Sequence, residues 1–217
     1  MATKEVNRIY ELLSVMHPDA GCELHFKTPF ELLVAVILSA QCTDKRVNMI
    51  TDKMFLEINK PEQFATLTLE ELKPYIFSCG FFNNKGKNII EMSRQLVEDY
   101  GGEVPRDFDK LTTLAGVGRK TAAVVMAVAF NEPAMPVDTH VNRVAIRLGL
   151  SEGKNVLQVE EDLKAKFAMD KWNNLHHYMI FHGRYICHSQ KPSCEICKLK
   201  EYCKFYKEKT VLKVKNG

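Results

Sequence analysis

No apolar run in this 217-residue sequence is long enough to cross a bilayer. The longest, LLVAVILSA and TAAVVMAVAF, stop well short of the roughly 20 residues that a spanning helix needs, and the opening MATKEVNRIY has no apolar signal core. These absences exclude a helical membrane protein and point to the cytoplasm, with no membrane partner. Also missing is period-two alternation rich in Val, Ile and Thr, so no sheet is expected. Internal repeats and low-complexity segments are absent too, which excludes solenoids and biased linkers. Charge of one sign is scarce: a net +3 is too small to imply a polyanionic partner by bulk attraction. Its distribution is uneven, because eight lysines face three glutamates from Lys191 to the end. That basic tail suits phosphate, although a solvated lysine-rich terminus would look the same.

What is present is helical. TPFELLVAVILSAQ opens with Thr28 at the N-cap, Pro29 at the first helical position and Glu31 at the third, a capping-box start. Apolar residues at three-to-four spacing mark further helices in VNRIYELLSVM, DKRVNMITDKMFLEI, LEELKPYI, GKNIIEMSRQLVEDY, DFDKLTTL, THVNRVAIRLGL, NVLQVEEDLKAKFA and HHYMIFHGRYIC. The fold class is all-α. NEPAMP, at 131–136, carries two prolines and is where the chain is expected to pass from one helical lobe to another.

Cysteines fall into two groups. Cys22, Cys42 and Cys79 are scattered among apolar helices and read as buried, unreactive thiols. Cys187, Cys194, Cys197 and Cys203 lie within CHSQKPSCEICKLKEYC, with six, two and five residues between them. Four thiolates that close in sequence suit a soft metal or an iron–sulfur cluster, and a disulfide is disfavoured without a secretion signal. Spacing alone leaves zinc and a cubane both open, and four-cysteine zinc sites are common.

LAGVGRKTAAVV, at 114–125, places a glycine hairpin between two helices. Gly116 and Gly118 permit positive φ and expose backbone N–H groups at a helix N-terminus, which makes a seat for phosphate; a plain αα-hairpin would use the same glycines. Lys120 is harder to explain as mere packing. An ammonium in the first turn opposes the helix dipole, and desolvation by the apolar TAAVV face would lower its pKa and supply a neutral amine nucleophile. Eighteen residues on, in PVDTHVNR, Asp138 stands where a helix N-cap belongs, which is a carboxylate's ordinary structural position as well as a useful catalytic one.

Together, LAGVGRKTAAVV, PVDTH, the C-x6-C-x2-C-x5-C cluster and FELLVAVILSAQCTD resemble the endonuclease III family of the helix-hairpin-helix DNA glycosylase superfamily, from about Val6 to Tyr206. The resemblance implies two helical lobes with a DNA-binding cleft between them. A six-helix barrel would span 22–132, with the helix-hairpin-helix at about 107–130, and a discontinuous cluster lobe would combine 1–21 with 133–217, its cluster loop at 187–203. By the same resemblance, Lys120 is the amine that attacks C1′ of a damaged nucleotide and Asp138 the assisting carboxylate. Cys187, Cys194, Cys197 and Cys203 would ligate a [4Fe-4S] cluster, displacing the lean toward zinc. Gln41 would fill the gap left by a flipped base, with Phe81 as the opposing wedge. Gly116 and Gly118, with Arg119 and Thr121 beside them, would hold the backbone of double-stranded DNA; His140 would lie near the pocket and Lys191 would meet phosphate.

Departures from the family pattern are Ala115, where many members have proline, and Phe81 and Phe82, where leucine and tyrosine are common; both phenylalanines could instead be core. The implied activity is removal of damaged pyrimidines followed by β-elimination at the abasic site, by a monomer in base excision repair. The competing readings are a monofunctional mismatch or adenine glycosylase, which Lys120 argues against, a non-catalytic helix-hairpin-helix DNA-binding protein, and a redox protein, for which no second cofactor motif exists.

Overall fold

The computed structural model describes residues 2–215, with side chains through residue 210, so the end of the basic tail lies outside the described residues. Among them the elements are α1 (Thr3–Met16), α2 (Pro29–Ser39), α3 (Asp44–Glu57), α4 (Pro61–Ala65), α5 (Leu69–Ile76), α6 (Phe82–Tyr100), α7 (Phe108–Thr113), α8 (Arg119–Ala129), α9 (Thr139–Leu148), α10 (Val156–Lys166), a 3-10 turn (Met169–Lys171), α11 (Trp172–Tyr185) and α12 (Lys204–Lys215). The all-α expectation holds, with no strand among the described residues. The chain divides into two compact units, Glu23–Glu132 and Met1–Cys22 with Pro133–Gly217.

In the contiguous unit, α2 is the centre. Residues Phe30–Leu38 are all buried, and α3, α6 and α8 pack around them. Its start is set as the sequence suggests: Thr28 Oγ1 accepts from the Glu31 N–H at 3.1 Å. The Glu31 carboxylate reaches back one residue further than a capping box requires and accepts from the Lys27 N–H. At its other end the buried Lys85 of α6 donates from Nζ to the Leu38 carbonyl at 2.8 Å, satisfying a C-terminal acceptor that no water can reach.

Helix α6 begins four residues before Gly86, where the sequence suggested its start. Gly86 is not a boundary. It is buried against α5, and a Cβ there would meet Leu69 Cδ1 at 2.6 Å. The short α4, with Pro61 at its first position, was not anticipated; five residues show too little periodicity to be read.

In the discontinuous unit, Val6, Ile9 and Leu13 of α1 face a core shared with Val141, Val144 and Leu148 of α9 and Leu175 and Met179 of α11. Helices α9 and α11 approach closely at Gly183, where a Cβ would lie 2.8 Å from His140 Cβ and 3.2 Å from Arg143 Nη2. No flexible tip can swing aside from the first of these contacts. Gly183→Ala should therefore destabilise the chain by about 1–3 kcal/mol, read as a lower urea midpoint. Gly21→Ala, where nothing lies within 4 Å, should leave that midpoint nearly unchanged.

Candidate nucleic-acid interface and active site

In the hairpin, α7 is capped by Asp107, whose side chain accepts from the Lys110 N–H at 2.9 Å. The chain then turns through Gly116, at φ +76°, where a Cβ would strike Asn88 Cβ at 2.8 Å. Gly118 behaves differently from expectation. Its φ is −87°, ordinary extended backbone, and it serves as the N-cap of α8 with open space in front of it. No side chain caps α8. Its first-turn N–H groups lack intrahelical acceptors, an arrangement suited to an anion.

Ala115, where proline was the family norm, uses the N–H that proline lacks: it donates to Gln95 Oε1 at 2.7 Å. Thus α6 holds the hairpin. Arg119 lies over the Phe108 ring at 5.1 Å, Thr121 is half-buried, and Ala122–Val125 are buried. Lys120 is exposed. The desolvation expected from TAAVV is not there, because the buried positions begin at Ala122 and Lys120 leaves the helix on its solvent side.

Gln41 follows α2 and Phe81 caps α6. Both are exposed, Phe81 at 65%, which removes core packing as its role; Phe82 packs against the core instead. Both tips carry strain. Among the described residues, the non-glycines with left-handed φ are Gln41 (55°), Phe81 (58°), Asn131 (52°) and Lys191 (49°). Three of these four were singled out from the sequence as DNA contacts. Such conformations cost about 1–3 kcal/mol each and cluster at functional sites.

In the other unit Asp138 is the N-cap of α9. Its Oδ1 accepts from the N–H groups of His140 at 2.9 Å and Val141 at 2.8 Å, and Oδ2 takes neither. The PVD segment is seated by α11: His176 Nδ1 donates to the Pro136 carbonyl at 2.8 Å, and the Ala134 N–H donates to Asn173 Oδ1 at 3.0 Å. His140 Nδ1 accepts from Arg143 Nη2 at 3.1 Å, since a guanidinium has nothing to accept with, which leaves the ring proton on Nε2. Burial, with Arg143 and Arg184, holds His140 below the usual imidazole range against the pull of Asp138.

All four C-terminal cysteines line one cavity, with Val144, Leu148, Ile186 and Pro192 supplying apolar walls. Burial pushes the Cys197 thiol up to about 11 and raises Cys194 and Cys203, so ligation would release protons. Arg147 Nη1 donates to Cys187 Sγ at 3.3 Å, and Cys203 Sγ donates to the Arg147 carbonyl at 3.2 Å. Among the described residues no three His, Cys, Asp or Glu side chains are arranged to hold a metal ion.

The loop at 188–193 is clamped from α9. Arg147 donates to the carbonyls of His188 at 2.7 Å and Ser189 at 2.8 Å, and Arg143 Nε to that of Cys187 at 3.0 Å. Lys191 sits exposed at its tip. Sequence reasoning missed both arginines, though their four-residue spacing on one helix face was a signal. It also missed the buried pair His17 and His182, whose Nε2 and Nδ1 lie 3.1 Å apart while His182 Nε2 stands 3.6 Å from Cys197 Sγ.

Residues 34–169 match the family described as HhH-GPD superfamily base excision DNA repair protein. Endonuclease III of Bacillus subtilis (strain 168) is 49% identical over 202 residues, covering 93% of this chain and 92% of that one. The chain belongs to the endonuclease III family of the HhH-GPD superfamily. Another endonuclease III, from Escherichia coli (strain K12), is 47% identical over 197 residues, covering 89% of this chain and 91% of its own. The fold is similar to that of a trapped endonuclease III–DNA covalent intermediate, with a TM-score of 0.92 and 44% identity over 97% of this chain and 99% of that one. A thermostable thymine-DNA glycosylase shares it at 25% identity and a TM-score of 0.86, covering 94% of this chain and 98% of that one.

Within this endonuclease III relative, the cap on α9 can be separated from any chemistry. Asp138→Ala should cost about 0.5–2 kcal/mol of stability, whereas Asp138→Asn, which keeps an acceptor oxygen, should cost much less. Chemical denaturation of the two variants checks this.

Proposed function

We propose that the chain is a DNA glycosylase that excises oxidised pyrimidines from duplex DNA and then cleaves the abasic site by β-elimination through a lysine Schiff base. The observation that carries this reading is the strained backbone at Gln41, Phe81 and Lys191, the exposed tips that the family resemblance independently assigns to DNA. A free protein has no evident use for three strained, exposed loop tips. A protein that must insert side chains into a base stack and touch phosphate does.

The uncapped start of α8 and the open space before Gly118 suit a phosphate, with Arg119 and Thr121 beside it. This seat reads no sequence. A damaged pyrimidine that has lost planarity stacks poorly, so rotating it out of the duplex is cheaper, and Gln41 and Phe81 fill the space it leaves. Lys120 then attacks C1′; the base leaves, and the amine forms a Schiff base with the opened sugar. The imine acidifies the C2′ protons, and loss of one breaks the strand on the 3′ side. Asp138, through the oxygen not used in capping α9, stabilises positive charge on the sugar.

Cys187, Cys194, Cys197 and Cys203 would hold a [4Fe-4S] cluster. All four thiols line one cavity with apolar walls, a setting that suits a thiolate-bound soft metal or cluster. Ligation through Cys187 and Cys194, at the two ends of the loop that carries Lys191, would brace that loop. Duplex DNA as the substrate and the family's bacterial members support action at the nucleoid. The chain is proposed to act as a monomer.

Borohydride trapping on a duplex with one thymine glycol tests the nucleophile. The parent chain should give a covalent protein–DNA adduct, and Lys120→Gln should give none while still binding the duplex. No adduct from either, with binding intact, would favour a monofunctional glycosylase. For the cluster, the purified chain should be yellow-brown and contain iron and acid-labile sulfide in equal amounts; a colourless protein with one zinc would reject the assignment.

A further inference from the structure

The loop that leaves α2 and the loop that enters α6 meet at a pair of thiols. Cys42 Sγ and Cys79 Sγ lie 3.8 Å apart. Each cysteine adjoins a strained tip: Cys42 follows Gln41, and Cys79 precedes Phe81 by two residues. The backbones are close as well, since a Cβ on Gly80 would stand 3.9 Å from the Gln41 carbonyl oxygen. A second tie joins the helices that flank these loops, the bond from Lys85 of α6 to the Leu38 carbonyl of α2. That tie is permanent. The thiol pair is not, because it can be closed by oxidation.

We infer that Cys42 and Cys79 are an oxidisable dithiol, a modification site for low-molecular-weight disulfides, whose closure moves the Gln41 and Phe81 tips and switches off lesion processing. The second half of this inference rests on the DNA-inserting role proposed above for those tips; the first half does not.

Accessibility sets the order of events. Cys79 is 1% exposed and Cys42 half-buried, so Cys42 is where a small disulfide can enter. Burial also pushes the Cys79 thiol up to about 11, keeping it protonated until its neighbour has reacted. The Cys42 thiolate attacks the disulfide RSSR, forming a mixed disulfide and expelling one RS⁻. Cys79 then loses its proton and attacks the Cys42 sulfur, expelling the second RS⁻. Two protein thiols are oxidised, one disulfide is reduced to two thiols, and the two protons go to the departing thiolates. Closing from 3.8 Å to the roughly 2.05 Å of an S–S bond draws the sulfurs together by close to 2 Å. Neighbouring residues already in the left-handed region have little freedom to absorb that movement. In a reducing compartment such a bond would be transient and regulatory.

The test uses the full, iron-loaded chain and glutathione disulfide. After incubation, peptide mapping should recover one pair joined through Cys42 and Cys79, with iron content unchanged. Turnover on a thymine glycol duplex should fall by about 100-fold, the cost of displacing a positioning group by about 1 Å, and dithiothreitol should restore it. Cys42→Ser and Cys79→Ala should each form no such pair and lose the oxidant sensitivity. Absence of the linked pair in the parent chain would overturn the inference, and so would a linked chain with undiminished turnover. If the reduced chain itself has no activity on the duplex, the proposed function fails, and the linked peptide still decides whether the dithiol exists.

Discussion

A helix with no polar face must be surrounded, and the contiguous unit is built to meet that requirement. Phe30–Leu38 of α2 are buried without interruption, so α3, α6 and α8 have no choice but to enclose them. Enclosure leaves only the ends of α2 near the surface. Its first turn is closed by Thr28 and Glu31, and the Leu38 carbonyl near its end by an ammonium brought in from α6. The chain leaves α2 into the Gln41 tip, enters α6 from the Phe81 tip, and reaches α8 through the glycine hairpin. The Gln41 tip, the Phe81 tip and the hairpin, each proposed to touch DNA, are thus junctions of helices that pack on α2.

The discontinuous unit solves a different problem with arginines. A loop of six residues between cysteines has little core of its own, and its carbonyls would otherwise need water. Arg147 takes two of them, those of His188 and Ser189, and Arg143 takes that of the flanking Cys187. Because Arg147 also reaches Cys187 Sγ, the loop and the proposed cluster cavity share one anchor. Arg143 in turn fixes the tautomer of His140, so the same helix orders the loop and the imidazole beside Asp138.

Much of this was legible because it depends on local rules. Thr28 and Asp138 cap helices where their spacing to the following apolar run said they would, and the four cysteines line one cavity. What could not be read depends on tertiary neighbours. Gly116 and Gly118 look alike in sequence, yet only Gly116 has positive φ, and only there would a Cβ strike Asn88. Lys120 seemed to belong to an apolar face, but the buried positions begin two residues on, at Ala122, and Lys120 is exposed. Gly86 and Gly183 resemble helix boundaries or accidents until the opposing side chains are in place. Ala115, a departure from the family's proline, turned out to be a donor.

Helix α6 carries Phe81 at one end and, at Gln95, the bond that holds the hairpin. Fourteen residues at 1.5 Å each place these two points about 21 Å apart along one rigid axis. Each residue also advances the helix by about 100°. The length of α6 between them is thus a register and not only a spacing. Substitutions along its solvent side are tolerable, but a single insertion or deletion would swing the hairpin a quarter-turn or more around the axis relative to the Phe81 tip. Variation in this segment should accumulate by exchange of side chains, never by change of length.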